Sequence, residues 1–346
     1  MRSKLKRIAK ILQVFSEYAR DGWLFLRFNG SSPLEPRDRR LSHKTIIEAH
    51  TIEKGLALPE PRPYFGQDKV RALLEMNADW IPPASDLSRT MLLGALRDYR
   101  AAFVKTSPPN AALAAQVDTF LDTQETETAE GGVRGNIEKK QGRDASAISF
   151  LDGRFSARDF APRSLNDPEI AAVIELAQRA PSQCNRQSTR IHVYRNRAKI
   201  AKLLELQGGA RGFAEAVPTL FIVTSEITAW GGPQQRNQPF VDGGIFTTML
   251  LLSLDAYGFV SCPMNLAVTH HKEQTIKKEG DIPARERLVV MVAAGLPPNL
   301  LHLFRTLSPN IFRCRKPLVA ILVDIAVKVL DHSRRPTIQR ALSLRG

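Results

Sequence analysis

Arg154-Phe155-Ser156-Ala157-Arg158 is followed, about one helix later, by Ala180-Pro181-Ser182-Gln183-Cys184-Asn185-Arg186-Gln187, and the reading of this chain turns on that pair. The first stretch sets two guanidinium groups and a hydroxyl within five residues. Guanidinium forks grip phosphate through paired N–H bonds, and a hydroxyl between them suits the hydroxyls of a sugar-like chain. The second stretch is a polar loop after a helix, with side-chain amides that can read the edge of a planar heterocycle. Farther on come a Gly-rich helix start at Asp242-Gly243-Gly244 and the segment Ser261-Cys262-Pro263-Met264-Asn265.

Composition sets the frame around these motifs. The chain has 346 residues, enough for one large domain or two ordinary ones, and its 43% hydrophobic and 24% charged residues are those of a globular protein with a buried core. Cys184, Cys262 and Cys314 have no Cys-x-x-Cys spacing and are odd in number. This argues against a disulfide framework and a structural zinc site and fits a reducing, cytoplasmic compartment. No export-type apolar run follows the basic opening, so no signal peptide is expected, and no segment is expected to span a membrane. Lysine and arginine outnumber acidic residues 49 to 35, for a net charge of +14. The excess sits at the ends: ten basic against four acidic residues in 1–40, and nine against two in 301–346. Such ends favour an anionic ligand, an anionic membrane or nucleic acid. Nucleic acid is the weakest of these, because no binding module or aromatic-basic interleaving accompanies the charge.

The opening carries apolar residues at Leu5, Ile8, Leu12, Phe15 and Ala19, with basic residues largely elsewhere, which predicts a helix with a basic polar face. It reads either as a helix packed on its own domain or as a peripheral contact with an anionic inner-membrane surface, helped by Trp23, Phe25 and Phe28 after it. Residues 31–40 form a Pro/Arg-rich connector. Helices are then expected at 42–53, 69–78, 87–102 and 111–121, separated by prolines. Gly55 is expected to cap the first of these, leaving His50 and Glu53 on its surface. Residues 122–145 have almost no large apolar side chain and mark a boundary.

Helices and strands then alternate. Residues 167–179 predict an amphipathic helix with an Asn166 or Asp167 N-cap. Strands are expected at 190–195, 219–224 and 288–294, with another region beginning at 258–261, and helices at 198–207 and 243–257. The last of these helices is apolar on all sides and should lie in the core or at a subunit interface. A final apolar element is expected at 317–329. His270-His271 reads as loop, since adjacent histidines point apart and no carboxylate or cysteine is suitably spaced for a metal. No Gly-x-Gly-x-x-Gly follows a strand, which excludes a dinucleotide-binding fold.

In order and spacing, the quoted motifs resemble the flavin-binding core of the nitroreductase family, over roughly residues 150–330. The resemblance implies an α+β, three-layer α/β/α sandwich with a mixed central sheet, here preceded by a mainly helical N-terminal region. It divides the chain into 1–121 (helical), 122–147 (linker), 148–330 (FMN-binding domain) and 331–346 (basic tail). The N-terminal region, with His50-Thr51-Ile52-Glu53-Lys54-Gly55-Leu56, looks like one found ahead of the flavin domain in members linked to polysaccharide biosynthesis. The resemblance further implies a homodimer with FMN at the subunit interface and NAD(P)H as transient electron donor. Arg154, Phe155, Ser156 and Arg158 match the segment that contacts phosphate, ribityl chain and pyrimidine edge. Pro181, Ser182, Gln183, Asn185 and Gln187 match the loop that the partner subunit lays against the flavin ring, though Ser188-Thr189 replace the common Pro-Trp ending. Cys184 is read as a small loop residue. Pro263, Met264 and Asn265 match the turn at flavin N5, and Arg313 and Arg315 the pair that closes on the phosphate, with Arg305 and Lys316 as rivals for that place. No catalytic acid or base is implied, because the flavin carries the chemistry. The function implied is hydride transfer from NAD(P)H through the flavin, in ping-pong order, to a small electron acceptor of nitroaromatic, quinone or enone type. The alternative is a membrane-surface accessory protein of polysaccharide biosynthesis that uses the fold without turnover.

Overall fold

The computed structural model describes residues 2–58, 64–83, 86–103, 111–124, 132 and 144–298. They belong to one compact unit, Met1–Leu301. Arg313, Arg315, the apolar element at 317–329 and the tail 331–346 lie outside the described residues.

The helical first part is observed. It comprises α1 (Arg2–Phe28), α2 (Arg37–Leu56), α3 (Gln67–Met76), α4 (Leu87–Phe103) and α5 (Ala111–Thr123). Apolar residues at helical spacing give α2 to α5 their own core, in which Ile52, Leu73, Leu92, Leu96 and Val117 are buried together. Two local expectations are corrected. Helix α2 begins at Arg37, inside the expected connector, and runs through Gly55 to Leu56. Gly55 is therefore no cap: a side chain there would strike the Phe65 ring, so glycine serves the close approach of that ring. Glu53 is buried and accepts a bond from Gly132 N at 3.1 Å. Helix α1 absorbs Trp23, Phe25 and Phe28, and leaves Ile8, Ile11, Leu12, Phe15 and Tyr18 exposed along one side. It is tied down farther along, where Glu17 accepts from His270 N at 2.7 Å, Asp21 pairs with Arg287 at 2.9 Å, and Gly30 N donates to Trp230 O at 2.6 Å.

The second part adds α6 (Ala145–Gly153), α7 (Asp167–Ala177), β1 (Thr189–Tyr194), α8 (Arg197–Gln207), β2 (Thr219–Glu226), α9 (Gln238–Ala256), β3 (Val260–Asn265), α10 (His270–Gly280) and β4 (Glu286–Gly295). Helix α7 starts where its sequence says it should. Asn166 accepts from Glu169 N, Glu169 accepts from Asn166 N, and Pro168 occupies the first turn where no donor is needed. The strands order as β1-β2-β4-β3. Strand β2 is buried along its whole length because helices cover both faces of the sheet. Leu220 and Ile222 pack with Leu203 and Ile276 of α8 and α10, while Phe221 and Val223 pack with Val173 and Leu250 of α7 and α9. Two-residue alternation thus splits one apolar run between two cores, giving the expected three layers.

All three strand pairings among the described residues are antiparallel, so the expected mixed sheet is not what these strands form. The connections through α8 and α10 leave and re-enter the sheet at the same end. Only the β2–α9–β3 connection crosses over, and β4 fills the gap between those two parallel strands. Two further corrections follow from the elements. Pro263-Met264-Asn265 is strand rather than turn, and His270-His271 opens α10 behind a Thr269 N-cap.

Helix α9 is the one helix among the described residues, within 233–256, long and apolar enough to cross a membrane by length and composition, contrary to expectation. Half of that stretch is buried inside the protein, where its core face packs on β2 and β4. At Gly243 an added Cβ would lie 2.6 Å from Val289 Cγ2 of β4, whereas at Gly244 it would meet nothing within 4 Å. The two neighbours should therefore respond oppositely to alanine. Gly244→Ala should stabilise by roughly 0.5–1 kcal/mol through helix propensity, and Gly243→Ala should destabilise by about 1–3 kcal/mol through overpacking. Urea denaturation midpoints check this; a stabilised Gly243→Ala would refute the close seating of α9.

Candidate functional site

The two motifs fold into two separate groups. Helix α6 ends at Gly153, and Arg154 leaves it in extended backbone. The following residues run beside β3, where Ala157 N donates to Ser261 O at 2.9 Å. Ala157 is buried and Phe155 packs on the core, which fixes the segment and leaves Ser156 half-buried and Arg158 exposed. Strand β3 is a sheet edge, and the bond to Ser261 shows that residues 261, 263 and 265 turn their backbone polar groups outward. Proline at 263 costs no ladder bond on that side. Asn265 N–H is left facing the edge, while Asn265 O is taken by Gln207 Nε2 at 2.8 Å. Met264 points the other way, into the core, so only its backbone is near the edge. Arg154, Phe155, Ser156 and Arg158 are thus brought together with Pro263, Met264 and Asn265. Arg154 Nη1 is buried without a hydrogen-bond partner, a donor suited to an oxyanion. Burial raises the Cys262 thiol, with Arg158 opposing it, and Cys184 and Cys262 are both free.

The second group hangs from Asp242 at the start of α9. This buried carboxylate accepts from Ser182 Oγ at 2.9 Å, Gln183 N at 3.0 Å and Gln238 Nε2 at 2.9 Å. Gln187 N in turn donates to Ser182 Oγ at 3.0 Å, and Gln187 Nε2 to Asn185 Oδ1 at 2.7 Å. The loop is held in an unusual backbone: Cys184 and Asn185 have φ 51° and Gln187 has φ 48°. Left-handed residues other than glycine are costly and persist where surrounding bonds over-determine them, often at binding sites. The loop leads into β1, the edge opposite β3. Three strand spacings alone separate those edges by roughly 14 Å. No hydrogen bond joins the two groups among the described residues.

A cleft of about 1460 Å³ opens where the loop meets the N-terminal helices. Asn185, Arg186 and Gln187 form part of its lining, together with His43 of α2 and Trp80. Arg186 is buried, donates to Ala229 O at 3.0 Å and Gln235 Oε1 at 2.8 Å, and lies over the Trp230 ring. Burial, followed by the nearby Arg186 charge, pushes the His43 imidazole down to about 4. Neither His43 nor Trp80 was legible as a site residue, because each sits in an ordinary helical or Pro-rich stretch and gains its place only by packing. Arg186 lay inside the quoted motif but between the positions that the resemblance assigned.

Residues 151–296, which carry β1 to β4 with α7 to α10, match the model of the nitroreductase family. Among solved structures, the FMN-dependent nitroreductase of Clostridium difficile R20291 is 16% identical with a TM-score of 0.42, over 49% of this chain and 96% of that one. A nitroreductase-like protein of Streptococcus mutans is 22% identical with a TM-score of 0.42, over 48% of this chain and 96% of that one. No curated protein sequence matches the chain.

The buried His43 makes stability depend on pH. It titrates near 6.5 when unfolded and about 4 when folded. Stability is therefore full above about 6.5, falls as pH drops, and levels off below about 4, a loss on the order of 3 kcal/mol. Urea unfolding at pH 7 and pH 4.5 should show this loss in the parent protein and much less of it in His43→Gln. Equal losses in both would remove His43 as the source.

Proposed function

We propose that the chain is an FMN-dependent oxidoreductase that takes electrons from NAD(P)H and passes them to a small, electron-poor acceptor of nitroaromatic, quinone or enone type. The observation that carries this reading is the group at the β3 edge, where Arg154 offers a buried Nη1 with no partner on the segment that Ala157 ties to Ser261. Bound FMN supplies two-electron chemistry, alternating between donor and acceptor at one ring face. Arg154 and Arg158 hold the phosphate end, and Ser156 with the backbone of Phe155 orients the ribityl chain and pyrimidine edge. A guanidinium at that edge stabilises the negative charge that reduction brings. Arg313 and Arg315 are the further phosphate contacts implied by the family pattern.

The loop carrying Pro181, Ser182, Gln183, Asn185 and Gln187 leads into the opposite sheet edge, so it serves the flavin of a second copy. The site is then completed only in a homodimer, for which exposed Phe240, Val241 and Ile245 on α9 offer apolar contact. No side chain of the chain is assigned as catalytic acid or base. The accessory reading without turnover is weaker, because a scaffold has no use for an unpartnered buried guanidinium nitrogen.

The visible absorption spectrum of the purified protein tests this. A flavin spectrum that bleaches on anaerobic addition of NADPH or NADH is the expected result. Arg154→Ala should lower flavin affinity at least about tenfold, as loss of a charge-assisted bond of roughly 1.5–3 kcal/mol requires, with the fold intact by circular dichroism. A colourless protein that cannot be reconstituted with FMN would favour the accessory reading instead.

A further inference from the structure

Arg186 is a cation only 6% exposed, and the two oxygens that accept its hydrogen bonds are neutral. Its Nη1 bonds a carbonyl and an amide oxygen, its guanidinium lies 5.2 Å from the Trp230 ring centroid, and its Nε is buried with no partner. Buried guanidinium groups are ordinarily matched by an anion. Among the described residues no carboxylate forms a close ion pair with it, although the Asp242 charge favours it from farther off. Asp242 is committed to Ser182, Gln183 and Gln238. Glu226 is held by Arg285 at 2.8 Å and by Thr228 at 2.7 Å. His43, also packed near it, is kept neutral first by its own burial and then by that same positive charge.

This cation, with its Nε unpartnered and no carboxylate in contact, lines the cleft described above. Arg179 and Arg190 line it too, exposed, and neither forms an ion pair among the described residues. The lining also includes Trp80 and Phe246, flat apolar rings that suit a flat apolar ligand. We infer that the cleft between the N-terminal helices and the 182–187 loop binds an oxyanion carried on a flat apolar frame, such as an aromatic carboxylate. Arg186 is its buried contact, and Arg179 and Arg190 are its rim. The N-terminal helices thereby gain a job, since α2 and Trp80 form one wall. The inference rests on the oxidoreductase reading in one respect: because Asn185 and Gln187 line the cleft, the anion belongs to the electron acceptor.

The test measures quenching of tryptophan fluorescence in the full chain by 4-nitrobenzoate, by uncharged nitrobenzene and, as competitor, by inorganic phosphate. The two nitro compounds share a ring and quencher, so their difference reads the carboxylate. 4-Nitrobenzoate should bind at least tenfold tighter than nitrobenzene, with phosphate competing only weakly. That advantage should shrink with salt and disappear in Arg186→Gln. Should Arg186→Gln fail to fold, the exposed double variant Arg179→Ala, Arg190→Ala still reads the rim and should lose several-fold of the advantage. Equal binding of the two nitro compounds, or an advantage untouched by these variants, would overturn the site. Phosphate competing as strongly as 4-nitrobenzoate would overturn the flat frame. Flavin content of the same samples separates the two readings. A flavin-bound protein without anion preference sinks this inference alone, and an anion preference without flavin uptake sinks the oxidoreductase reading alone.

Discussion

The seating of α9 on the sheet is the constraint from which the rest follows. At Gly243 the helix comes so close to Val289 that no side chain fits between them. That contact places Asp242, one residue earlier, under the loop that joins α7 to β1. Its carboxylate then gathers two bonds from the loop and one from its own helix, and the loop accepts a left-handed backbone at three positions other than glycine. A helix that stood farther from the sheet would leave both the carboxylate and the loop without their partners. One close packing contact thus shapes the amide-bearing half of the proposed site.

The other half depends on the sheet edge. Strand β3 ends the order β1-β2-β4-β3, and its outward backbone receives the segment that carries Arg154 and Arg158. The sheet holds the halves apart instead of joining them, and that is why a second copy is part of the proposed site. The N-terminal helices are not a loose appendage to this arrangement. Gly30 sits so close to the backbone of Thr228 that a side chain would collide with it, and it donates to Trp230 O. His43 lies buried against the same turn, next to Arg186. The seam is polar and closely fitted, so the charge state of one histidine bears on how well it holds.

Much of the fold was legible in the sequence. Periodicity placed α3 to α5 and α7 to α9 to within a few residues, since an apolar stripe at 3.6 spacing with proline stops leaves little choice. An Asn166 or Asp167 N-cap marked the start of α7, and the β-branched run at 219–224 marked β2. The errors share a cause. Pro263 matched a turn in the resemblance, yet on an outer edge its missing donor is harmless and the strand runs on to Asn265. Gly55 looked like a cap because glycine ends helices, yet it was kept small by Phe65, 10 residues away in the chain. His270-His271 was read as loop because adjacent histidines point apart and no metal ligand is suitably spaced, yet Thr269 caps a helix there. The antiparallel sheet depends on which strand fills the gap between β2 and β3, and no local pattern records that. For the site, residue types at the Arg154 and Pro181 motifs were readable, but the burial of Arg186 and the approach of His43 come only from packing between distant segments.

Complementation between two defective chains tests the central claim most directly. One chain carries Arg154→Ala, and the other carries Asn185→Ala with Gln187→Ala, so each alone is poor in flavin. When the two are unfolded and refolded together, flavin content should recover to roughly a quarter of full occupancy. Half of randomly paired dimers are mixed, and each of those holds one intact site. Flavin content that stays at the level of the separate variants would contradict a site shared between two copies.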